Sequence, residues 1–203
     1  MRGYRYIKVV IDFILSILLC ILLLPIMVVI AVTIRIESKG PIFFRQKRIG
    51  KNKREFYILK FRTMKINTPG NTPTHMLSNP EMYITKIGKF LRKTSLDELP
   101  QVFNVLKSEM SFIGPRPALW NQYDLIKERD TTGANGIKPG ITGWAQVNGR
   151  DEIPIEVKAL YDGEYAHKIS LWLDIKIIFK TFSQVSKAQG IVEGTNPQNH
   201  IHV

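Results

Sequence analysis

An α+β fold, mostly helical with one short β-hairpin and carried on a proline-broken apolar helix at the N-terminus, is what the sequence predicts. Three observations lead to it. Residues 13–34 run 22 positions without a charge, interrupted only by Ser16, Pro25 and Thr33. Gly50-Lys51-Asn52-Lys53 separates two segments rich in apolar β-formers, the pattern of a hairpin. Beyond residue 80 the apolar positions recur at helical spacing. The 203 residues, 44% of them hydrophobic, suffice for one compact domain and hardly for two, and a single cysteine excludes a disulfide scaffold. With 29 Lys and Arg against 17 Asp and Glu the chain carries a formal +12, so its natural partners are polyanions: nucleic acid, anionic lipid headgroups or small phosphorylated molecules.

The apolar segment reads as a membrane anchor occupying residues 1–39. As a straight helix its charge-free part would reach roughly 33 Å, close to the hydrocarbon thickness of a bilayer. Pro25 removes a backbone hydrogen bond near the middle, where the helix is expected to bend. Both flanks are basic. Arg2, Arg5 and Lys8 oppose Asp12 upstream, and eleven basic residues oppose Glu37 and Glu55 across positions 35–65. Because basic flanks stay on the inner side, the segment either spans once or enters and leaves by the same face, bent at Pro25. No cleavage site for a signal peptide follows it. Cys20, within this stretch, behaves as a small hydrophobe.

Residues 40–195 form one globular unit, and 196–203 a polar tail. Gly40-Pro41 ends the anchor, residues 42–44 open the first strand, and residues 56–64 form the second. Strand alternation puts Tyr57, Leu59 and Phe61 on one face and Phe56, Ile58, Lys60 and Arg62 on the other, so the two cations either belong to a solvated basic face or meet an anion. Residues 67–80 are a loop. A helix is expected over 81–92 from the stripe Met82, Ile84, Ile87, Phe90 and Leu91, and the next carries Leu99, Val102, Phe103 and Leu106. Residues 169–185 are apolar over more than half the helical circumference, which suits a core helix or an amphipathic helix lying in the membrane interface.

Ser95-Leu96-Asp97-Glu98 has the form of a capping box, in which Ser95 caps the helix and Glu98 reaches back to it, although Pro100 argues for a start nearer Leu99. Two adjacent carboxylates at the positive end of a helix favour their ionised forms, suited to a nucleophile or a metal ligand. In Gly114-Pro115-Arg116-Pro117 two prolines fix the direction of one arginine, whose planar guanidinium suits a phosphate. A glycine-rich loop runs from Lys138 through Pro139-Gly140-Ile141-Thr142-Gly143-Trp144 to Arg150, and matches neither a P-loop nor a dinucleotide fingerprint. His75, His167, His200 and His202 lack ligand spacing, so any metal would be a hard cation. The phosphate-binding candidates are Lys60, Arg62, Arg92, Arg116 and Arg150.

Lys60-Phe61-Arg62-Thr63-Met64, Thr94-Ser95-Leu96-Asp97-Glu98-Leu99-Pro100-Gln101, Gly114-Pro115-Arg116-Pro117, Pro139-Gly140-Ile141-Thr142-Gly143-Trp144 and Ser170-Leu171-Trp172-Leu173-Asp174 follow one another as in a known family. Together with the proline-broken anchor, they resemble the monotopic bacterial sugar transferases, the polyprenyl-phosphate phosphoglycosyl transferases of the small single-domain type. The resemblance implies transfer of a sugar 1-phosphate from a UDP-sugar to polyprenyl (undecaprenyl) phosphate with release of UMP, as the first membrane step of a glycoconjugate pathway. It implies that Asp97 attacks the sugar-bearing phosphorus and that Glu98, with Asp97, holds Mg²⁺. It also implies a re-entrant anchor in the bacterial inner membrane, with the catalytic domain on the cytoplasmic face among anionic lipids and no nucleic acid partner. One departure is Leu24, where family members often carry Ser before the helix-breaking proline.

A reading from a different class is a membrane-tethered basic module that binds nucleic acid or acidic partners. It predicts steep salt dependence and indifference to Asp97→Asn. A glycosidase using the carboxylate pair is disfavoured, because adjacent residues do not readily flank a glycosidic bond at the roughly 5 to 10 Å such enzymes need.

Overall fold

The computed structural model describes residues 2–68, 80–149 and 153–186, and the structural statements below concern these. Ten regular elements follow one another: α1 (Arg2–Glu37), β1 (Phe43–Ile49), β2 (Glu55–Phe61), α2 (Lys86–Lys93), α3 (Gln101–Leu106), β3 (Ser111–Ile113), α4 (Tyr123–Thr131), β4 (Gly140–Thr142), α5 (Ile155–Lys168) and α6 (Leu171–Ser186). The mostly helical α+β class with one antiparallel hairpin is as expected.

α1 is a single 36-residue helix with Pro25 inside it. The chain stays helical on both sides of the proline, so the expected break does not interrupt the helix, although Pro25 has no N–H to donate to the turn before it. Burial along α1 is uneven. Asp12 and Ser16 are buried, as are Met27, Ile30 and Ile34, whereas no residue between Ser16 and Met27 is buried and Ile21 and Leu22 are exposed. Its first arm is tied down by polar groups: Arg5 donates to the Ala166 carbonyl, while the Tyr4 hydroxyl and the Lys8 ammonium both reach Asp174 Oδ2 at 2.8 Å. Its last turns join an apolar core with Phe61 and Leu91. Glu37 accepts from the free backbone N–H groups of Lys86 and Ile87 at the start of α2.

β1 and β2 pair from Phe43↔Phe61 to Ile49↔Glu55. Asn52 and Lys53 take positive φ in the connecting turn, a conformation asparagine tolerates better than most residues. Phe56 and Ile58 point inward onto Val105 and Met110. Phe61 breaks the expected alternation, because at the strand's end it is buried against α1 rather than exposed with Tyr57. Outside β1, residues 117–119 add a short third lane: Ile49 donates to the Ala118 carbonyl, and Arg48 bridges Leu119.

α2 starts at Lys86, five residues later than the apolar stripe predicts. Thr85 supplies the N-cap by accepting from the Gly88 amide, while Pro80–Met82 forms a separate 3-10 turn and Ile84 bridges back to Met64. Met82 is therefore exposed and outside the stripe. A second sheet was not foreseen in the sequence. β3 and β4 run parallel, Ser111 opposite Gly140 and Ile113 opposite Thr142, which sets the Gly-Pro-Arg-Pro loop against the glycine-rich loop. Gly140 and Gly143 are required there, since a Cβ on either would overlap the backbone of Gly114.

α4 and α5 are joined by an ion pair in the interior. Arg129 donates through Nε and Nη2 to Asp162 Oδ2 at 2.9 and 2.6 Å, with both side chains almost fully buried. α6 presents Leu171, Trp172, Phe179 and Phe182 outward and Ile177 and Asp174 inward, the amphipathic pattern expected of it. The polar tail at 196–203 lies outside the described residues.

Candidate active site

Asp97 and Glu98 do not begin an α-helix. They lie in a 3-10 turn, Leu96–Glu98, and α3 starts three residues beyond Glu98 with Pro100 at its N-cap. Ser95 takes a left-handed conformation and makes no capping hydrogen bond, which overturns the capping-box reading. The proline decides this, since its missing N–H and fixed φ suit the entry of a helix and not the second turn. The carboxylates are thus shaped by their neighbours rather than by a helix terminus. Leu96 and Leu99 on either side of them rest on the core that contains Met27, Ile30 and Ile34, so the turn is seated on α1.

Lys60 reaches the pair from β2. On the inward face with Phe56 and Ile58, it places Nζ 2.6 Å from Glu98 Oε1 and 3.9 Å from Asp97 Oδ2, and its side chain is only 17% exposed. The solvated-face reading is therefore wrong for Lys60. Arg116 arrives from the loop after β3, with Nη2 3.2 Å from Glu98 Oε1. Its two prolines are held in place: the Pro115 carbonyl accepts from the Gly140 amide and the Pro117 carbonyl from Arg48. Arg92 donates through Nε to Thr63 Oγ1 at 2.9 Å, and its charge is felt at Asp97.

Arg62, expected alongside Lys60, is placed elsewhere. It follows the last residue of β2, is buried, and donates to the carbonyls of Ser38 and Lys39 and to the Ser38 hydroxyl, closing the end of α1 onto the hairpin. Strand alternation failed for it because the strand ends at Phe61. Arg150 lies outside the described residues. The rest of its loop is anchored by Trp144, whose indole N–H donates to Glu164 and whose ring carries Lys176 and Lys180 at 5.3 and 4.9 Å.

The two carboxylates are driven apart electrostatically. Burial raises the Asp97 carboxyl above its ordinary range, and the Glu98 charge adds to this, against the opposing pull of Lys60, Arg92 and Arg116. For Glu98 burial acts upward as well, but Lys60 and Arg116 in direct contact outweigh it and hold the carboxyl well below the usual range. The ionised forms that a helix terminus would favour in both are thus replaced by one firmly charged carboxylate and one whose carboxyl burial raises. Such an arrangement can accept a phosphate group: cations stand ready to neutralise its oxygens, and an oxygen nucleophile sits beside them.

The donor set also fits a hard cation. Among the described residues no group of three or more His, Cys, Asp and Glu side chains is clustered. Mg²⁺ commonly takes one or two protein carboxylates and completes its shell with water and substrate phosphates, which a pair like Asp97 and Glu98 allows.

A half-buried carboxylate pair with three surrounding cations, seated on a helix long and apolar enough to cross a membrane, suits the handling of a phosphate near a bilayer. The model of the bacterial sugar transferase family matches residues 3–188. The chain belongs to that family. It is 44% identical over 185 residues to a UDP-glucose:undecaprenyl-phosphate glucose-1-phosphate transferase of Xanthomonas campestris pv. campestris, covering 88% of this chain and 38% of that protein. It is 38% identical over 190 residues to a UDP-N-acetylgalactosamine-undecaprenyl-phosphate N-acetylgalactosaminephosphotransferase of Aeromonas hydrophila, covering 90% and 44%. An uncharacterized sugar transferase of Bacillus subtilis (strain 168), EpsL, is 40% identical over 170 residues, covering 83% of this chain and 79% of that protein. The chain thus spans about two-fifths of the length of the first two relatives.

Proposed function

We propose that this chain is a UDP-sugar:polyprenyl-phosphate sugar-1-phosphate transferase that works through a covalent phosphosugar on Asp97, with undecaprenyl phosphate as acceptor. The observation that carries the proposal is the placement of Asp97, half-buried beside Glu98, with Lys60 Nζ at 3.9 Å and the charges of Arg92 and Arg116 felt at its carboxylate. In the first step an Asp97 oxygen attacks the sugar-bearing phosphorus of the donor, the bond from that phosphorus to the bridging oxygen breaks, and UMP leaves. In the second an oxygen of the lipid phosphate attacks the same phosphorus and frees the aspartate. Lys60 and Arg116 hold the diphosphate oxygens, Glu98 keeps both cations oriented, and Arg92 adds positive charge on the Asp97 side. Glu98, with Asp97, would hold Mg²⁺, which supplies further neutralisation of charge on the diphosphate. The two-step route lets one site serve a water-soluble donor and a membrane-bound acceptor in turn.

Donor, Mg²⁺ and undecaprenyl phosphate supplied to detergent- or nanodisc-held protein are expected to release UMP with at least one of a panel of UDP-sugars, and chelation by EDTA to stop it. Mass spectrometry with donor alone is expected to find the phosphosugar on Asp97. Steady turnover with no adduct would exclude the covalent scheme.

The pH dependence follows from the carboxyl that must be ionised. Asp97 needs its charge to attack, and its carboxyl is raised, so kcat/KM is expected to fall on the acid side at a higher pH than an ordinary aspartate would give. Lys60→Met removes the strongest opposing cation. The acid limb is therefore expected to move to still higher pH, and a pH profile of UMP release measures it; a limb that stays put would separate Lys60 from Asp97.

For the anchor we propose a re-entrant helix, residues 1–39, bent at Pro25 while staying helical, that enters and leaves by the cytoplasmic face of the inner membrane with 40–195 as the catalytic domain. Both arms of α1 are fastened to the globular unit, the first through Arg5, Lys8 and Asp12, the last through Met27, Ile34 and Glu37, while residues 17–22 between them carry no buried side chain. A helix crossing the bilayer would carry one of these arms to the far side. α6 lies with Trp172, Phe179 and Phe182 toward the interface. Single cysteines placed at Gly3 and Lys39 in a Cys20→Ser background are expected to resist an impermeant maleimide in intact cells and to react in inverted vesicles. Labelling of Gly3→Cys from outside would establish a full span instead.

A further inference from the structure

The Asn104 side chain occupies the edge of β2 that no strand covers. Its Oδ1 accepts from the Leu59 amide at 3.0 Å, and its Nδ2 donates to the Tyr57 carbonyl at 2.8 Å and to Glu109 Oε2 at 2.7 Å. The carboxamide therefore spans the carbonyl of one β2 residue and the amide of the residue two further on, as the N–H and C=O of a single residue in a parallel neighbouring strand would. It is 1% exposed, and the Glu109 carboxylate fixes which end of the amide faces which way, because only Nδ2 can donate to it. The Asn104 backbone carbonyl in turn accepts from the amides of Glu109 and Met110, which lead into β3.

Three walls of the site meet at this residue. β2 carries Lys60, next in sequence to the bonded Leu59. The segment containing α3 carries Asp97 and Glu98, and β3 leads into the loop bearing Arg116. We infer that Asn104 is the positioning residue of the site: by docking α3 on the edge of β2 it holds Lys60 within reach of both carboxylates and sets the approach of Arg116. It touches no substrate. Its effect is exerted through Lys60, and the inference rests on the reading of Lys60, Asp97, Glu98 and Arg116 as the active site. A small displacement is sufficient, since misplacing a reacting group by about 1 Å can cost on the order of 100-fold in rate.

Asn104→Asp tests this with little change of shape. The new oxygen in place of Nδ2 confronts the Tyr57 carbonyl and the Glu109 carboxylate, so two of three side-chain bonds are lost while the volume is kept. Two readouts are used, UMP-release kinetics and trace labelling of lysines by acetic anhydride, quantified by mass spectrometry on the full-length protein in nanodiscs. Expected are a kcat reduced roughly 10- to 100-fold with KM for the donor within about twofold, and labelling of Lys60 raised severalfold while the exposed Lys89 is unchanged. Glu109→Ala, at a half-buried position, removes only the orienting acceptor and is expected to change kcat and Lys60 labelling in the same direction by less. Retention of wild-type kcat and Lys60 protection in Asn104→Asp would overturn the inference. So would labelling of all lysines rising together in that variant while Glu109→Ala behaves as wild type, since Asn104 would then only support the fold. Lysine labelling does not depend on the covalent scheme. Failure of that scheme would show instead as an active Asp97→Asn, with Lys60 labelling still reporting on Asn104.

Discussion

Asp97→Asn is expected to lower the rate of UMP release by 10³-fold or more, about 4 kcal/mol in the barrier, and to leave the protein folded. The amide keeps the volume of the carboxylate and loses its nucleophilic charge. Stability should not suffer, because burial works against the Asp97 charge in the first place; the thermal midpoint is expected to stay level or to rise slightly. Glu98→Gln is expected to differ in the sign of its stability effect. Lys60 and Arg116 both bond to Glu98 Oε1, so neutralising it leaves two cations in a half-buried site without their anion and lowers the midpoint. Steady-state assays beside thermal unfolding separate the two. An Asp97→Asn enzyme that kept more than a tenth of its turnover would remove Asp97 from the chemistry and with it the covalent scheme.

The largest effect on stability is expected far from that site. Arg129→Ala strips the guanidinium bonded to Asp162, a side chain 1% exposed between α4 and α5. Removing one member of such a pair typically costs about 3 to 5 kcal/mol, which in a domain of this size lowers the midpoint by roughly 6 to 20 °C. The loss should depend on pH. Burial already raises the Asp162 carboxyl, and without Arg129 it rises further, so the native state binds a proton that the unfolded chain has released. The deficit is therefore smallest in acid and grows as pH rises through the raised value. Arg129→Met combined with Asp162→Leu is expected to recover most of the stability, and thermal unfolding of both variants across pH 5 to 8 measures the difference. A double variant as unstable as Arg129→Ala would show that packing, not the buried carboxylate deprived of Arg129, carries the effect.

The readable parts of this protein were those in which a local pattern and its physical role coincide. Residues 13–34 could form little other than a helix in an apolar setting, and the glycine turn at 50–53 produced the hairpin it suggested. Asp97 and Glu98 were legible as chemistry, and Lys60 and Arg116 as their cations, although their pairing was not. Where the reading failed, a contact from elsewhere in the chain had displaced a local rule. Ser95 offers a cap, but Pro100 and the packing of Leu96 and Leu99 on α1 shift the helix start beyond it. Arg62 shares the period of Lys60, but the strand ends before it and the carbonyls of Ser38 and Lys39 claim the guanidinium.

By itself, then, the sequence determined the inventory: an apolar anchor with basic flanks, a hairpin, short amphipathic helices, and a carboxylate pair with candidate cations. Those follow from periodicity, charge and turn chemistry, all of which act over a few residues. Only the tertiary structure decided which cation meets which carboxylate, that Asp97 is raised while Glu98 is held low, and that Asn104 joins β2, α3 and β3. These depend on burial and on distances between residues tens of positions apart, and at such range a displacement of an ångström or two decides whether two charges bond or merely share a surface.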